Sequence, residues 1–263
     1  MMHRTAARAL LSCLVVTAFS GCVTLPPNAP RSPQDPYESW NRGVYKFNTT
    51  VDNAVTKPIA KGYVRVVPQP IRTGVSNFFG NLHMTTVLIN DTLQGKPLAA
   101  ATDLGRLLLN TTVGVGGLLD PATAAGLAHN EADFGLTLAR WGVHAGPFIE
   151  LPVLGPSDLR DAPSRVVDAY TSPLEYVHND WIKYPLVAVD LLDTRAGLLS
   201  LEPTLATAYD PYQFVRDAFL PRRAFLSGHA PPKQDDTLLD PDAPADAAPV
   251  PAPPPHTGDQ TTH

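Results

Sequence analysis

The chain has 263 residues, of which 28 are proline and only 17% are charged, whereas about 5% proline and about 25% charged residues are usual. Prolines are concentrated in residues 26–36 and 230–263, and acidic residues of the second segment account for the whole formal net charge of −5. The remainder is neutral and has no basic stripe, which argues against nucleic-acid binding, because phosphates are neutralised by clustered Lys and Arg.

The first residues predict a secretory signal peptide over residues 1–21. Two arginines precede an apolar stretch of 11 residues, 9–19, whereas a helix needs about 20 apolar residues to cross a bilayer. The two small residues directly before Cys22 resemble the lipobox of bacterial lipoproteins, in which the cysteine sulfur receives a diacylglycerol. We therefore expect a lipid anchor on Cys22. The alternative is an ordinary signal peptide in which Cys22 has no role.

The cysteine count agrees with a lipoprotein. Of the two cysteines, Cys13 lies in the segment to be removed, and Cys22 would be blocked by lipid. The mature body then has no thiol, which excludes disulfides and cysteine-bound metals. Residues 22–36 would serve as a proline-rich tether behind a firm acyl anchor. Val23, at a position where an inner-membrane retention signal has Asp, predicts sorting to the outer membrane.

Residues 37–229 are expected to form one helical domain with a sizeable core. Apolar residues recur at helical spacing from Trp40 to Val51 and predict a first helix over residues 37–56, which Pro58 ends or kinks.

The rest of the domain continues this pattern. In the helix predicted over residues 98–110, leucines line one face beside Asp103 and Arg106. The Pro/Gly-rich residues 141–163 are expected to be irregular turns, and no series of alternating strands is present. No apolar run outside the signal peptide reaches 18 residues, so no transmembrane helix is predicted. Further helices are predicted over residues 71–90, 166–177, 185–201 and 212–226. The fold class is therefore mainly α, a compact bundle of amphipathic helices with Pro/Gly-rich turns, followed by a disordered Pro/Asp-rich tail over residues 230–263.

A flexible, nearly uncharged segment follows the helix over residues 98–110. Three glycines within four residues should break a helix or let two segments approach closely. Two interpretations stay open, a hairpin that moves and a close-packed turn. The candidate residues are Asn110, Thr111, Gly114, Gly116, Gly117 and Leu118.

Motifs for catalysis are absent from the sequence. There is no nucleophile elbow, zinc-protease motif or phosphate-binding loop, and the glycines at 114–117 lack the context of a dinucleotide site. Ser157 has no positioned base, the pair of Asp158 and Asp161 beside Arg160 is typical of an ion-paired turn, and the histidines lack metal-ligand spacing. We expect no enzyme activity, no catalytic or metal-binding residue and no cofactor.

Short motifs in a fixed order nevertheless identify a family. The chain resembles the VacJ/MlaA family of outer-membrane lipoproteins from Asp35 to about Phe225. The motifs are Asp35-Pro36-Tyr37-Glu38, Asn41-Arg42, Phe47-Asn48, Pro68-x-Pro70-x-Arg72, Asn77-Phe78-Phe79-x-Asn81-Leu82, Leu93-Gln94-Gly95, Asn110-Thr111-Thr112-x-Gly114-x-Gly116-Gly117-Leu118-x-Asp120, Phe134-Gly135-x-Thr137-Leu138, Trp141-Gly142-Val143, Gly146-Pro147, Leu151-Pro152, Gly155-Pro156-Ser157, Arg160-Asp161 and Asp210-Pro211-Tyr212.

The resemblance implies a ring-like helical body, one leaflet deep, that lies in the inner leaflet of the outer membrane, faces the periplasm and encloses a central amphipathic channel. It implies a conduit that removes phospholipid misplaced in the outer leaflet, associates with a trimeric porin and passes lipid to a periplasmic carrier of an inner-membrane transporter. It also implies that first-helix residues hold the channel in its controlled state. Independently of the resemblance, the small, flexible and uncharged residues 110–120 between two helices could form a pore-side hairpin that moves as lipid passes. The first-helix residues are Asn41, Arg42, Phe47 and Asn48.

Alternatives remain open for the first-helix residues and for the function. Phe47 could belong to the core, and Arg42 could pair with an acid. A lipoprotein scaffold could tether porins or cell wall without moving lipid, and a lipid-degrading enzyme would release lysophospholipid.

Overall fold

The computed structural model describes residues 32–228. The predicted signal peptide, the anchor at Cys22, most of the tether and the acidic tail lie outside the described residues.

The described chain is mainly helical, as predicted, with one small antiparallel hairpin. Helices predicted over residues 71–90, 98–110 and 212–226 are confirmed to within a few residues. The elements are α1 Glu38–Val51, α2 Lys57–Val66, α3 Gln69–Leu93, α4 Pro97–Thr112, α5 Pro121–Ala124, α6 Phe134–Arg140, β1 Phe148–Leu151, β2 Gly155–Asp158, α7 Asp161–Thr171, α8 Asp180–Gly197, α9 Glu202–Thr207 and α10 Pro211–Leu226, with a π-helical turn at Asp52–Thr56 and 3-10 turns at Pro173–Tyr176 and Leu198–Leu201.

Pro58 does not end the first helical segment. A π-helical turn at Asp52–Thr56 joins α1 to α2, and the chain stays helical to Val66. Pro58 is the second residue of α2. Proline near the start of a helix loses no necessary hydrogen bond, and a π-helical turn is a common site of irregularity within a helix. Pro58 thus marks an irregular point in the first helical segment, although the chain stays helical beyond it.

The expectation of irregular turns over residues 141–163 is wrong in part. β1 and β2 form a hairpin in which Phe148 pairs with Asp158 and Leu151 with Gly155. Four-residue strands are too short to show an alternating pattern among prolines and glycines. α7 begins at Asp161, five residues before its predicted start, because Pro163 fits within the first turn of a helix. The short helices α5, α6 and α9 were also not predicted.

The longest helix, α3, lies at the centre of the packing, where it contacts α4, α6, α7 and α8. We call α3, α6 and α7 the hub. Within the hub the buried amide of Asn90 donates from Nδ2 to Asp168 Oδ1 over 3.0 Å and accepts from Thr137 Oγ1 over 2.8 Å. Gln94 Nε2 donates to the same Thr137 oxygen, and the backbone N–H of Phe134 donates to Asp168. The hub is therefore held by a buried polar network.

Burial is inverted with respect to most globular proteins. Among the described residues, more polar and charged side chains than apolar ones are buried, and many large apolar side chains are exposed. Leu98 is 82% exposed and Trp181 is 90% exposed, whereas Asp103 and Arg106 are buried. A surface of this kind suits apolar surroundings. No helix within residues 32–228 has the length and hydropathy to span a membrane.

Candidate functional site

The first candidate site lies where α1 meets the hairpin. Asn41 is fully buried, and its Nδ2 donates to Asp35 Oδ1 at 2.8 Å and to the carbonyl oxygen of Phe148 at 3.1 Å. Its Oδ1 accepts from the backbone N–H of Glu150 at 2.9 Å. Asn41 thus uses its amide to fix β1 and the segment before α1 to the helix.

Asn48 makes the equivalent contact two turns later on the same face of α1. Its Nδ2 donates to Glu150 Oε1 at 3.1 Å and to the carbonyl oxygen of Leu151 at 2.9 Å. Its Oδ1 accepts from the N–H of Val153 at 2.7 Å. Val153 has a φ of 67°, a conformation that costs energy for a β-branched residue. Asn48 therefore stabilises a strained hairpin turn.

Arg42 joins α1 to the start of α10. It donates in a bidentate manner to Asp210, with Nη2 to Oδ2 at 2.6 Å, and from Nε to Glu38 at 2.8 Å. Its guanidinium lies 4.6 Å from the ring centroid of Tyr212, within the range of a cation–π contact. Arg42 therefore pairs with acids. Phe47 is partly buried.

Glu150 sits between the two asparagines and was missed by sequence reasoning. Its side chain is 3% exposed, Oε2 has no hydrogen-bond partner within residues 32–228, and burial raises the pKa of its carboxyl to about 7 in spite of the Asn48 amide. In the sequence, the signal for Glu150 was a single charged residue within the otherwise apolar stretch Phe148–Leu151. Its spatial partner is 102 positions away in the chain, so spacing could not reveal it.

The second candidate site, residues 110–120, is closely packed on α3 and α5. Asn110 Nδ2 donates to Asp120, and Asn110 Oδ1 accepts from the N–H of Ala122 at 3.0 Å. A Cβ at Gly114 would lie 2.3 Å from the Asn110 carbonyl oxygen, and Gly117 has a φ of 92°. Both positions therefore require glycine, whereas Gly116 has open space around it despite a φ of 71°.

The same segment turns apolar side chains outward. Val113, Val115, Leu118 and Leu119 are all exposed, while Asn77 donates to the carbonyl oxygen of Leu118 and Asn81 donates to Thr111. A compact backbone thus presents an apolar edge. Among the described residues, no hydrogen bond joins this segment to the Asn41–Asn48 site, so the two candidate sites are separate.

The turn around Arg160 is ion-paired, as predicted. Arg160 contacts Asp161 at 2.8 Å and Asp158 at 3.4 Å. Ser157 is buried, and its Oγ lies 3.5 Å from the backbone carbonyl oxygen of Asp158; among the described residues, no hydrogen bond joins this hydroxyl to a general base. Within residues 32–228, no three His, Cys, Asp or Glu side chains are grouped as metal ligands.

The helical fold with an inverted distribution of burial defines a membrane-associated helical protein. The family model for the MlaA lipoprotein matches residues 33–226, so the chain belongs to the MlaA lipoprotein family. Two relatives named intermembrane phospholipid transport system lipoprotein MlaA are similar to it. The protein from Escherichia coli is 37% identical over 201 residues, covering 73% of this chain and 78% of that protein. The protein from Haemophilus influenzae is 35% identical over 227 residues, covering 83% and 88%.

A solved structure agrees with this assignment. One solved structure is described as the structural basis for maintenance of bacterial outer membrane lipid asymmetry. A chain of that structure superposes on this chain with a TM-score of 0.65 and is 36% identical to it in sequence. The match covers 75% of this chain and 100% of that chain. The fold and the family therefore agree.

Proposed function

We propose that this lipoprotein is a phospholipid conduit of the outer membrane, which removes mislocalised phospholipid from the outer leaflet and passes it on for transport to the inner membrane. The observation that carries the proposal is the inverted burial in a chain of this family. Leu98 and Trp181 are exposed, while polar networks fill the interior. Relatives named for intermembrane phospholipid transport support the same conclusion.

Physical chemistry favours a conduit over release into water. Burial of one CH₂ group is worth about 0.8 kcal/mol, so transfer of two long acyl chains through water would cost roughly 20 kcal/mol or more. A useful path keeps the tails against apolar side chains and the headgroup against polar ones. No activated nucleophile is needed for this transfer, which agrees with a transport role for the family.

The finer placement belongs to the same proposal. The body would form a ring within the inner leaflet, held by acyl chains on Cys22, and would face the periplasm. A trimeric porin and a periplasmic lipid carrier would be its protein partners. Support comes from an apolar surface without a spanning helix in residues 32–228, because a body immersed in one leaflet needs apolar walls and hydrogen-bonded helical backbone.

Both candidate sites would control the conduit. Asn41, Arg42 and Asn48 tie α1 to the hairpin and α10, so Phe47 between them would be held at a fixed position. The segment over residues 110–118 would be a pore hairpin. Asn81, which donates to Thr111, offers a test from outside the segment. If the hairpin gates lipid flow, Asn81→Ala should change the transport rate, whereas an unchanged rate would favour a purely structural turn.

The test of the proposed function uses the full chain in a bacterial host that lacks its own MlaA. Surface phospholipid is labelled enzymatically before and after expression. We expect expression of the chain to lower the amount of outer-leaflet phospholipid to the level of the same host with its own MlaA intact. We expect the substitution Cys22→Ala to abolish this effect. An unchanged lipid distribution, with the protein present in the outer membrane, would refute transport. Porin retention without lipid movement would favour a scaffold, and lysophospholipid release would favour an enzyme.

A further inference from the structure

Glu150 places a carboxyl group in the interior of the first candidate site, where little is available to offset a negative charge. The residue lies on β1 and is 3% exposed. Its Oε1 accepts from Asn48 Nδ2 at 3.1 Å, while Oε2 has no hydrogen-bond partner within the described residues. A buried carboxylate needs several donors or a cation to replace its lost hydration. A single amide donor is too little for the ionised form.

The charged and titratable groups around Glu150 do not supply what is missing. Arg165 of α7 faces the carboxyl, but its Nη1 and Nη2 donate to the carbonyl oxygens of Leu154 and Pro156 at 3.3 and 2.9 Å. Tyr45 faces it from α1, and burial together with the Glu150 charge raises the pKa of the Tyr45 hydroxyl. On β2, the residue opposite Glu150 is Pro156, which does not titrate. Within residues 32–228, Glu150 therefore forms no ion pair.

The fourth neighbouring element, α10, meets β1 through aromatic rings. The rings of Tyr212 and Phe219 contact that of Phe148, with centroids 6.2 and 5.9 Å apart. The Tyr212 hydroxyl donates to Asp35, so it is directed to the segment before α1. α10 thus adds apolar surface beside the strand that carries Glu150, which makes the surroundings of the carboxyl less favourable for a charge.

A proton on the carboxyl removes this conflict. Burial raises the pKa of Glu150 to about 7, and the Asn48 amide and Arg165 oppose this effect only in part. The protonated group is neutral, and its Oε1 still accepts from Asn48. The ionised group is more stable wherever it reaches water. Contact between α1 and the hairpin is thus strongest at low pH and weakens as the pH rises through about 7.

Asn48 transmits this change to the hairpin turn. The amide that donates to Glu150 also donates to the carbonyl oxygen of Leu151 at 2.9 Å and accepts from the N–H of Val153 at 2.7 Å. Val153 has a φ of 67°, which costs energy that its surroundings must supply. Val153 and Leu154 are 74% and 58% exposed, so packing contributes little there. A displacement of Glu150 from Asn48 would therefore weaken the support of the turn.

We propose that Glu150 is a positioning residue, whose proton decides how firmly Asn48 holds the hairpin on α1. The protonated carboxyl keeps the hairpin in place, and the ionised carboxyl loosens it. The first-helix residues would control the conduit, so the rate of lipid transport would depend on pH. This inference rests on the proposed function and adds a form of regulation to its control site.

Nuclear magnetic resonance of the full chain in nanodiscs measures this proton directly. The chain has five glutamates, so selective ¹³C labelling of glutamate carboxyls gives few signals. We expect one signal, absent from Glu150→Gln, to titrate near pH 7. If Glu150→Gln does not fold, labelling of residue 150 alone by peptide ligation identifies the signal. A Glu150 carboxyl that titrates below about pH 5, as ordinary glutamates do, would overturn the proposal.

Hydrogen exchange at the Val153 amide tests the effect on the turn. Protection is corrected for the intrinsic pH dependence of exchange and compared at about pH 5.5 and about pH 8.5. We expect the parent to lose at least about tenfold in protection at the higher pH, and Glu150→Gln, which stays neutral, to change by less than about twofold. Glu131→Gln is the matched control, because Glu131 is exposed and pairs with Arg222, and it should respond as the parent does. Equal protection of the parent at both pH values would overturn the proposal.

Phospholipid transport in the host described above connects the turn to the conduit. Between about pH 6 and about pH 8, the rate of the parent should change at least about threefold, whereas that of Glu150→Gln should stay constant. A parental rate that is independent of pH, although Val153 responds, would overturn the regulation and leave the conduit intact. Failure of the parent chain to lower outer-leaflet phospholipid at any pH would instead refute the proposed function.

Discussion

The hub and the segment over residues 180–207, which comprises α8, the 3-10 turn Leu198–Leu201 and α9 and which we call the arm, are both joined to the rest of the chain by polar contacts. The two sets of contacts have different surroundings. In the hub, Asn90 and Thr137 are 1% and 0% exposed, and each lost hydrogen bond would leave an unsatisfied buried group. In the arm, Asp190 and Asp193 make similar contacts with partners that water can reach. The comparison teaches that burial, and not the number of hydrogen bonds, decides which part of this molecule is rigid.

The same glycine substitution should have opposite effects in the two regions. A Cβ at Gly135 in α6 would lie 2.2 Å from Asp161 Oδ1 and would displace the buried ion pair of Asp161 with Arg223. We expect Gly135→Ala to lower the free energy of unfolding by about 3–5 kcal/mol. Gly197 in α8 has open space, so Gly197→Ala should raise it by between zero and about 1 kcal/mol. Urea unfolding in detergent micelles measures both, and equal effects would contradict the comparison.

Removal of the central hub amide should have the next largest effect. Asn90→Ala removes one buried hydrogen-bond partner from each of Thr137 and Asp168, which keep those to Gln94 and Phe134, and should cost about 2–3 kcal/mol. Thr92→Ala is the control on the same helix, because Thr92 is exposed and bonds only within α3. The free energy of unfolding of Thr92→Ala should stay within about 0.5 kcal/mol of that of the parent. A loss below 1 kcal/mol for Asn90→Ala, on the order expected for a surface site, would count against a buried network.

The hub should also show a characteristic dependence on pH. Burial raises the pKa of Asp168 to about 6, although Phe134 and Asn90 donate hydrogen bonds to it. The folded state therefore binds more protons than the unfolded state between about pH 4 and 6, and this carboxyl loses stabilising effect as pH rises. Asp168→Asn keeps the acceptor oxygen, so the variant should gain about 1–2 kcal/mol on the parent over that range. If the free energy of unfolding of the variant differed from that of the parent by the same amount at every pH from 3 to 8, this titration would be excluded.

The smallest effect is expected in the arm. Asp193→Asn weakens the contacts to Tyr63 and Ser76, which are accessible to water, and should change the free energy of unfolding by less than about 1 kcal/mol. Asp190→Asn, which weakens the contact to the exposed His83, should behave alike. Global unfolding measured by urea titration checks both. A loss as large as that of Asn90→Ala would place the arm in the same cooperative core as the hub.

The sequence predicted where helices lie better than which face they bury. The apolar pattern correctly gave α3, α4 and α10, because periodicity reports that two faces differ. It could not tell which face points inward. In α4 the structure buries Asp103 and Arg106 and exposes Leu104 and Leu108, the reverse of the ordinary soluble pattern.

Candidate residues were found through motifs, but their partners were not. Asn41 and Asn48 contact a hairpin more than 100 positions away, and Arg42 binds Asp210, which is 168 positions away. No local spacing contains such pairs. The hairpin itself was missed because its strands have four residues each. Glu150 therefore became visible only when tertiary contacts placed it beside Asn48.

Native-state hydrogen exchange of the full chain in lipid nanodiscs tests the contrast between hub and arm most directly. Exchange through local opening reports the free energy of each segment separately. The account predicts that amides of α8 exchange at least about tenfold faster than those in the second half of α3. A disulfide formed by Ser76→Cys with Asp193→Cys, two positions whose side chains are in contact at 2.6 Å, should remove most of this difference. Equal protection of α8 and α3 in the parent chain would contradict the account.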